Sequence, residues 1–141
     1  MRDTDNKLVS LLKANAREPA ASLARKLGLA RSTVQERIAR LEREGTIKGY
    51  TVRLSEEVEA RKLCAIVMIT ADPKQADGVA AELKRMPEVR SLSAVSGVYD
   101  MAAMVEADTP AKIDAAIDRI GRAHGVARTV SSIILSEKFS R

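Results

Sequence analysis

Residues 20–45 read AASLARKLGLARSTVQERIARLEREG. Leu23, Ala24 and Leu27 recur at helical spacing and predict a helix over about 20–27, closed by Gly28 as a left-handed cap. Val34, Ile38 and Leu41 form one stripe of a further helix over about 31–44, which ends at Gly45. Two helices joined by a short glycine-containing turn make a helix-turn-helix, whose second helix is the one that enters a DNA major groove. Upstream, Leu8, Leu11 and Leu12 predict a preceding helix from about Asp5 to Ala14, with Thr4 or Asp5 as its cap. Pro19 separates it from the next helix. Downstream, Thr46–Leu54 alternates and carries Gly49, as a short hairpin or wing would.

Beyond that block the pattern changes. Ser55–Lys62 is charged and reads as a linker, so the expected division is a helix-turn-helix domain over 1–54, a linker over 55–62 and a second domain over 63–141. Leu63–Ala71 (LCAIVMITA) is an almost unbroken apolar run rich in β-branched residues, hence a buried strand. Asp72-Pro73 ends it and opens a helix carrying Val79, Ala80 and Leu83. Val89–Val98 and Met101–Ala107 read as strands around a turn at Gly97–Asp100. Thr109-Pro110 starts a helix with Ile113, Ile117 and Ile120, and Val126–Leu135 is the last strand. The order β-α-β-β-α-β is ferredoxin-like, so the fold class is α+β, a winged or helix-turn-helix three-helix domain followed by a ferredoxin-like domain. Two helices cover one face of such a sheet. The other face is bare in a monomer, although strand 63–71 is apolar on both sides, and a partner is expected to bury it.

The chain has 141 residues, of which 45% are hydrophobic and 30% charged, which fits a folded protein rather than a disordered one. No run approaches the roughly 18 apolar residues of a membrane span, and the polar start MRDTDNKLVS is unlike a signal peptide. A cytoplasmic, nucleoid-associated location is therefore expected. Cys64 is the one cysteine and reads as a small buried hydrophobe. With one histidine (His124, near a helix end) and one cysteine, no standard zinc set can be assembled, and no metal or cofactor is expected. No catalytic triad pattern or phosphate loop is present. The net charge of +5 is placed unevenly: residues 1–54 hold 12 Lys/Arg against 6 Asp/Glu, whereas residues 55–141 hold 12 against 13. The basic half suits a polyanion. Aromatic residues, at 2%, are too few for binding that stacks bases.

On the helix over 31–44, Ser32, Glu36, Ala39 and Arg43 lie opposite the buried stripe, flanked by Thr33, Gln35 and Arg40. The early residues of a recognition helix reach base edges, and later cations hold phosphates. Arg31, Ser32, Thr33, Gln35 and Glu36 are therefore assigned to the base-reading end, and Arg40, Arg43 and Lys48 to phosphates. Arg37 lies nearer the core flank, where an ion pair within the chain competes with a DNA contact.

Asp5, Asn15-Ala16-Arg17, Leu23-Ala24, Gly28-Leu29 and the block VQERIARLEREGTIKGYTVRL (Val34–Leu54) resemble the leucine-responsive/asparagine-regulator (Lrp/AsnC) family. VSGVYD (Val95–Asp100) resembles that family's Gly-x-Tyr/Phe-Asp turn, and TVSSIIL (Thr129–Leu135) its last strand. The resemblance implies a DNA-binding domain joined to an effector and oligomerisation domain, with double-stranded DNA and the chain itself as partners. It implies homodimers pairing through their sheets and assembling into octamers, and a small ligand, usually an amino acid, near the turn. Gly97, Val98, Tyr99 and Asp100 become candidate effector residues on this basis: glycine and nearby amides could receive a carboxylate, and Asp100 an ammonium. Thr129, Ser131 and Ser132 are candidates for contacts from a neighbouring subunit. A plain hairpin turn would use the same Gly and Asp. One departure is Ala30, where the family commonly has Ser. Its missing cap costs the helix about 1 kcal/mol, unless the start shifts so that Ser32 caps it.

Three functions remain open from sequence. They are a sequence-specific regulator responding to a small ligand, an architectural protein that wraps DNA, and an enzyme resembling the haem-pathway decarboxylases of similar architecture. The last uses sheet-domain histidines, and His124 lies outside the predicted sheet face.

Overall fold

The structure, a computed structural model, describes residues 2–141. The chain folds as two units, the first running through Arg53 and the second spanning Leu54–Arg141.

The first unit contains α1 (Asp3–Ala14), α2 (Ala20–Leu27) and α3 (Arg31–Arg43). Leu8, Leu12, Leu23, Ala24, Val34 and Leu41 are buried together, with Ile38 and Ile47 packed at the edge. Gly28 ends α2 in the left-handed region (φ 67°), a conformation that a Cβ disfavours. Two expected caps are corrected. Helix α1 starts at Asp3, with Arg2 at the cap position, so neither Thr4 nor Asp5 caps it. Helix α3 starts at Arg31 after Ala30 with no side-chain cap, so Ser32 does not substitute. The wing is also corrected: among the described residues, none of 46–55 belongs to a strand. The Ile47 N–H instead donates to the Leu41 carbonyl, which draws that side chain toward the core and leaves the alternating residues beyond it exposed.

The second unit runs α4 (Glu56–Glu59), β1 (Leu63–Ala71), a 3-10 turn (Pro73–Gln75), α5 (Ala76–Lys84), β2 (Val89–Ala94), β3 (Met101–Ala107), α6 (Pro110–Arg122) and β4 (Val126–Ile134). The segment expected to be all linker thus carries one helical turn, and β2 stops short of Val98. The four strands are antiparallel in the order β2-β3-β1-β4, as the ferredoxin-like pattern requires. Asp72 accepts from the Lys74 N–H and Thr109 from the Lys112 N–H, and Pro110 fits the first turn of α6, so both connections are locally encoded. The core lies between one sheet face and α5 and α6: Ala65, Val67, Ile69, Val79, Leu83, Ala103, Val105 and Ile120 are fully buried. At Gly125 (φ 95°) an added Cβ would lie 2.3 Å from that of Gln75, so the chain reaches β4 only through glycine.

Strand pairing fixes what the opposite face carries. Ile66 faces Met104 and Ser132, and Met68 faces Ala102 and Val130. Ile66 and Val130 are each 37% exposed. Cys64 is half-buried on this outer face rather than in the core, its Sγ 3.9 Å from a Glu106 oxygen. Burial pushes its thiol pKa up, and the Glu106 charge adds to the effect.

Candidate nucleic-acid interface

Helix α3 is held by its Val34 and Leu41 face. Arg31, Ser32, Gln35, Glu36 and Arg43 are exposed, as is Lys48 beyond the helix, while Thr33 is half-buried. Among the described residues, Arg31, Arg43 and Lys48 make no ion pair. The outward surface therefore presents short polar groups near the helix start and free cations at both ends. Tyr50 donates to Glu42 at 2.7 Å, tying the segment after α3 back to the helix.

Arg40 is placed differently from expectation. Its Nη2 lies 2.8 Å from Asp5 Oδ2, and the Arg37 Nη1 lies 2.8 Å from Asp5 Oδ1. The one carboxylate binds both arginines, so of the three expected phosphate ligands only Arg43 and Lys48 are left without an ion pair among the described residues. The Asp5 side chain is 4% exposed. Its removal from water raises the carboxyl pKa, but hydrogen bonds and charge from Arg37 and Arg40 outweigh this and hold it below the usual 3.8. Arg37 thus makes the ion pair within the chain. Helix periodicity by itself does not name Asp5 for this role, but the spacing carries its signal: Asp5, Leu8 and Leu12 are three and four apart on one stripe. An acid on an apolar stripe needs a partner.

In the second unit, Gly97 adopts φ 125°, Val98 is 89% exposed and Tyr99 is half-buried. Asp100 is exposed, and its Oδ2 accepts from the Ala71 N–H at 2.9 Å. Its backbone joins the Ile69 carbonyl and the Val95 N–H. Asp100 therefore braces the turn against β1, as an ordinary hairpin residue does, while Oδ1 has no partner among the described residues. Thr129 and Ser131 pair with Ile69 and Val67 and so lie on the helix-covered face, whereas Ser132 pairs with Ile66 on the outer face. These three residues do not form one cluster. Two surface concavities lie in the first unit, one beside Arg2, Asp5, Arg40 and Glu44 and one between α1 and α2, and neither involves the turn.

Two family models match this chain: an AsnC-type helix-turn-helix domain over residues 1–42 and an Lrp/AsnC ligand-binding domain over residues 64–141. The chain belongs to the Lrp/AsnC family. It is 36% identical over 139 residues to the HTH-type transcriptional regulator LrpA of Mycobacterium tuberculosis, covering 98% of this chain and 92% of that protein. It is 32% identical to the regulator LysM of Saccharolobus solfataricus, covering 97% and 95%. Among solved structures, the feast or famine regulatory protein of M. tuberculosis, complexed with L-methionine, shares 36% identity with a TM-score of 0.84 and covers 98% of this chain and 94% of that one. A Neisseria meningitidis regulator, also complexed with L-methionine, shares 25% identity with a TM-score of 0.82, covering 99% and 93%. The relatives of this Lrp/AsnC chain are named as transcription regulators and not as enzymes.

Proposed function

We propose that this Lrp/AsnC protein is a sequence-specific regulator that inserts α3 into the major groove of double-stranded DNA. The observation that carries the reading is the exposed α3 surface: Arg31, Ser32, Gln35 and Glu36 at the base-reading end, with Thr33 beside them, and the unpaired cations Arg43 and Lys48 for phosphates. A duplex selected from a random-sequence pool by the protein should bind at least a thousandfold more tightly than random duplex, a ratio of the order specific regulators reach. Replacing Arg31, Gln35 and Arg43 together by Ala should abolish that preference. Its survival would remove the reading, and equal affinity for all sequences from the outset would favour DNA wrapping.

The protein acts as a homodimer joined through its outer sheet faces, with octamers built from dimers. The exposed Ile66 and Val130, with Met68 and Met104 beside them, support this, since apolar sheet surface of that kind is costly to leave in water. An amino acid binds near Gly97–Asp100 at contacts between dimers. The L-methionine complexes of the two relatives and the free Asp100 Oδ1 support the assignment. L-Methionine is accordingly the first ligand to try by thermal shift, and a true effector stabilises the folded assembly by mass action. Among the described residues no helix is long and apolar enough to cross a membrane. A regulator that reads duplex DNA works where that DNA lies, in the cytoplasmic nucleoid.

A further inference from the structure

Helix α3 carries four arginines, and two of them are withheld from its exposed surface. Arg37 and Arg40 both turn toward Asp5, which is contributed by α1. Their side chains are only 21% and 32% exposed, and the Nε atom of each is buried without a hydrogen-bond partner. A buried unpartnered donor is unfavourable, so the carboxylate is what keeps these guanidinium groups in place. Arg40 sits one turn after Glu36 and one turn before Arg43, both on the exposed face. Freed from Asp5, it reaches solvent beside residues that face outward. Arginine at such a position binds backbone phosphate without regard to sequence.

We infer that Asp5 is a specificity-determining residue, which clamps Arg37 and Arg40 so that α3 meets DNA through its base-reading end rather than through added phosphate contacts. This rests on the reading that α3 enters a duplex groove. The clamp acts in two ways. It subtracts two cations from the sequence-independent attraction, and it fixes the roll of α3 against α1, on which the aim of Gln35 and Glu36 depends.

The test measures affinity of the full chain for a duplex selected by the wild-type protein and for a random-sequence duplex, across salt. Each phosphate neutralised adds roughly 0.9 to the slope of log affinity against log salt. Asp5→Asn should steepen the slope on random duplex by about 1 to 2 and raise that affinity roughly tenfold at low salt. The selected duplex should gain less, so discrimination narrows. Adding Arg40→Gln to Asp5→Asn should remove about 0.9 of the gained slope. A folded Asp5→Asn protein with an unchanged or shallower slope, or with both duplexes weakened by the same factor, would overturn the inference. If Asp5→Asn does not fold, Arg40→Gln alone decides: an unchanged slope supports the clamp, and a loss of about 0.9 refutes it. Should the wild-type protein select no duplex at all, the sequence-specific reading fails, while the slopes on random DNA still judge the clamp.

Discussion

Asp5 shows how much one side chain can organise. A carboxylate that is almost wholly buried stays charged because two guanidinium groups meet it from α3. Its pKa lies below 3.8 in the folded protein, so the unfolded chain takes up the proton first as pH falls. Its stabilisation is complete well above pH 3.8 and is lost as pH drops through the folded value. Arg2 and Glu44 are the other charged groups lining this site. Glu18 moves in the same direction, through hydrogen bonds from Lys26 and Ser22. Thermal melts at pH 5 and pH 3 should therefore show a smaller acid loss in Asp5→Asn than in the wild type, and equal losses would contradict the assignment. Gly125 makes a second case. With φ at 95° and Gln75 in the way of any Cβ, Gly125→Ala should destabilise the second unit, and a melting temperature equal to wild type would show that the 3-10 turn yields freely.

At the scale of elements, most of the fold was legible. The stripes of α2 and α3, the cap at Gly28 and the apolar run of β1 are written in residue spacing, because each depends on neighbours within a few positions. What residue spacing does not carry depends on distant partners or on a missing one. Thr46–Leu54 alternates like a hairpin, but no neighbouring strand among the described residues takes up its hydrogen bonds. Arg40 looked like a phosphate ligand because its partner is 35 positions away on another helix. Thr129, Ser131 and Ser132 are consecutive or nearly so, yet strand alternation sends them to opposite faces. Helix α3 begins without a side-chain cap. Ala30→Ser should stabilise the first unit by about 1 kcal/mol, measured by denaturant midpoint, and no gain would mean that the free amides already have partners. In the second unit Leu83 of α5 is fully buried, and Leu83→Ala should cost roughly 2 to 5 kcal/mol by the same measurement.

For the whole molecule, charge and surface divide the labour. The excess of positive charge lies in the first unit, where free cations flank a polar helix face. The second unit is nearly neutral and carries a partly exposed apolar sheet face, which the proposed homodimer would bury. Ile66→Glu together with Val130→Glu should turn sedimenting dimers into monomers and lower affinity for a two-half-site duplex, since each subunit would then bind alone. Dimers of undiminished stability would place the interface elsewhere. The most direct test of DNA reading by α3 is methylation of guanine N7, a major-groove atom, in a selected duplex with and without the protein. Protection is predicted in two patches about one helical turn apart, and it should vanish when Arg31 and Gln35 are replaced by Ala. A stable complex in which every guanine N7 remains as reactive as in free DNA would contradict the account.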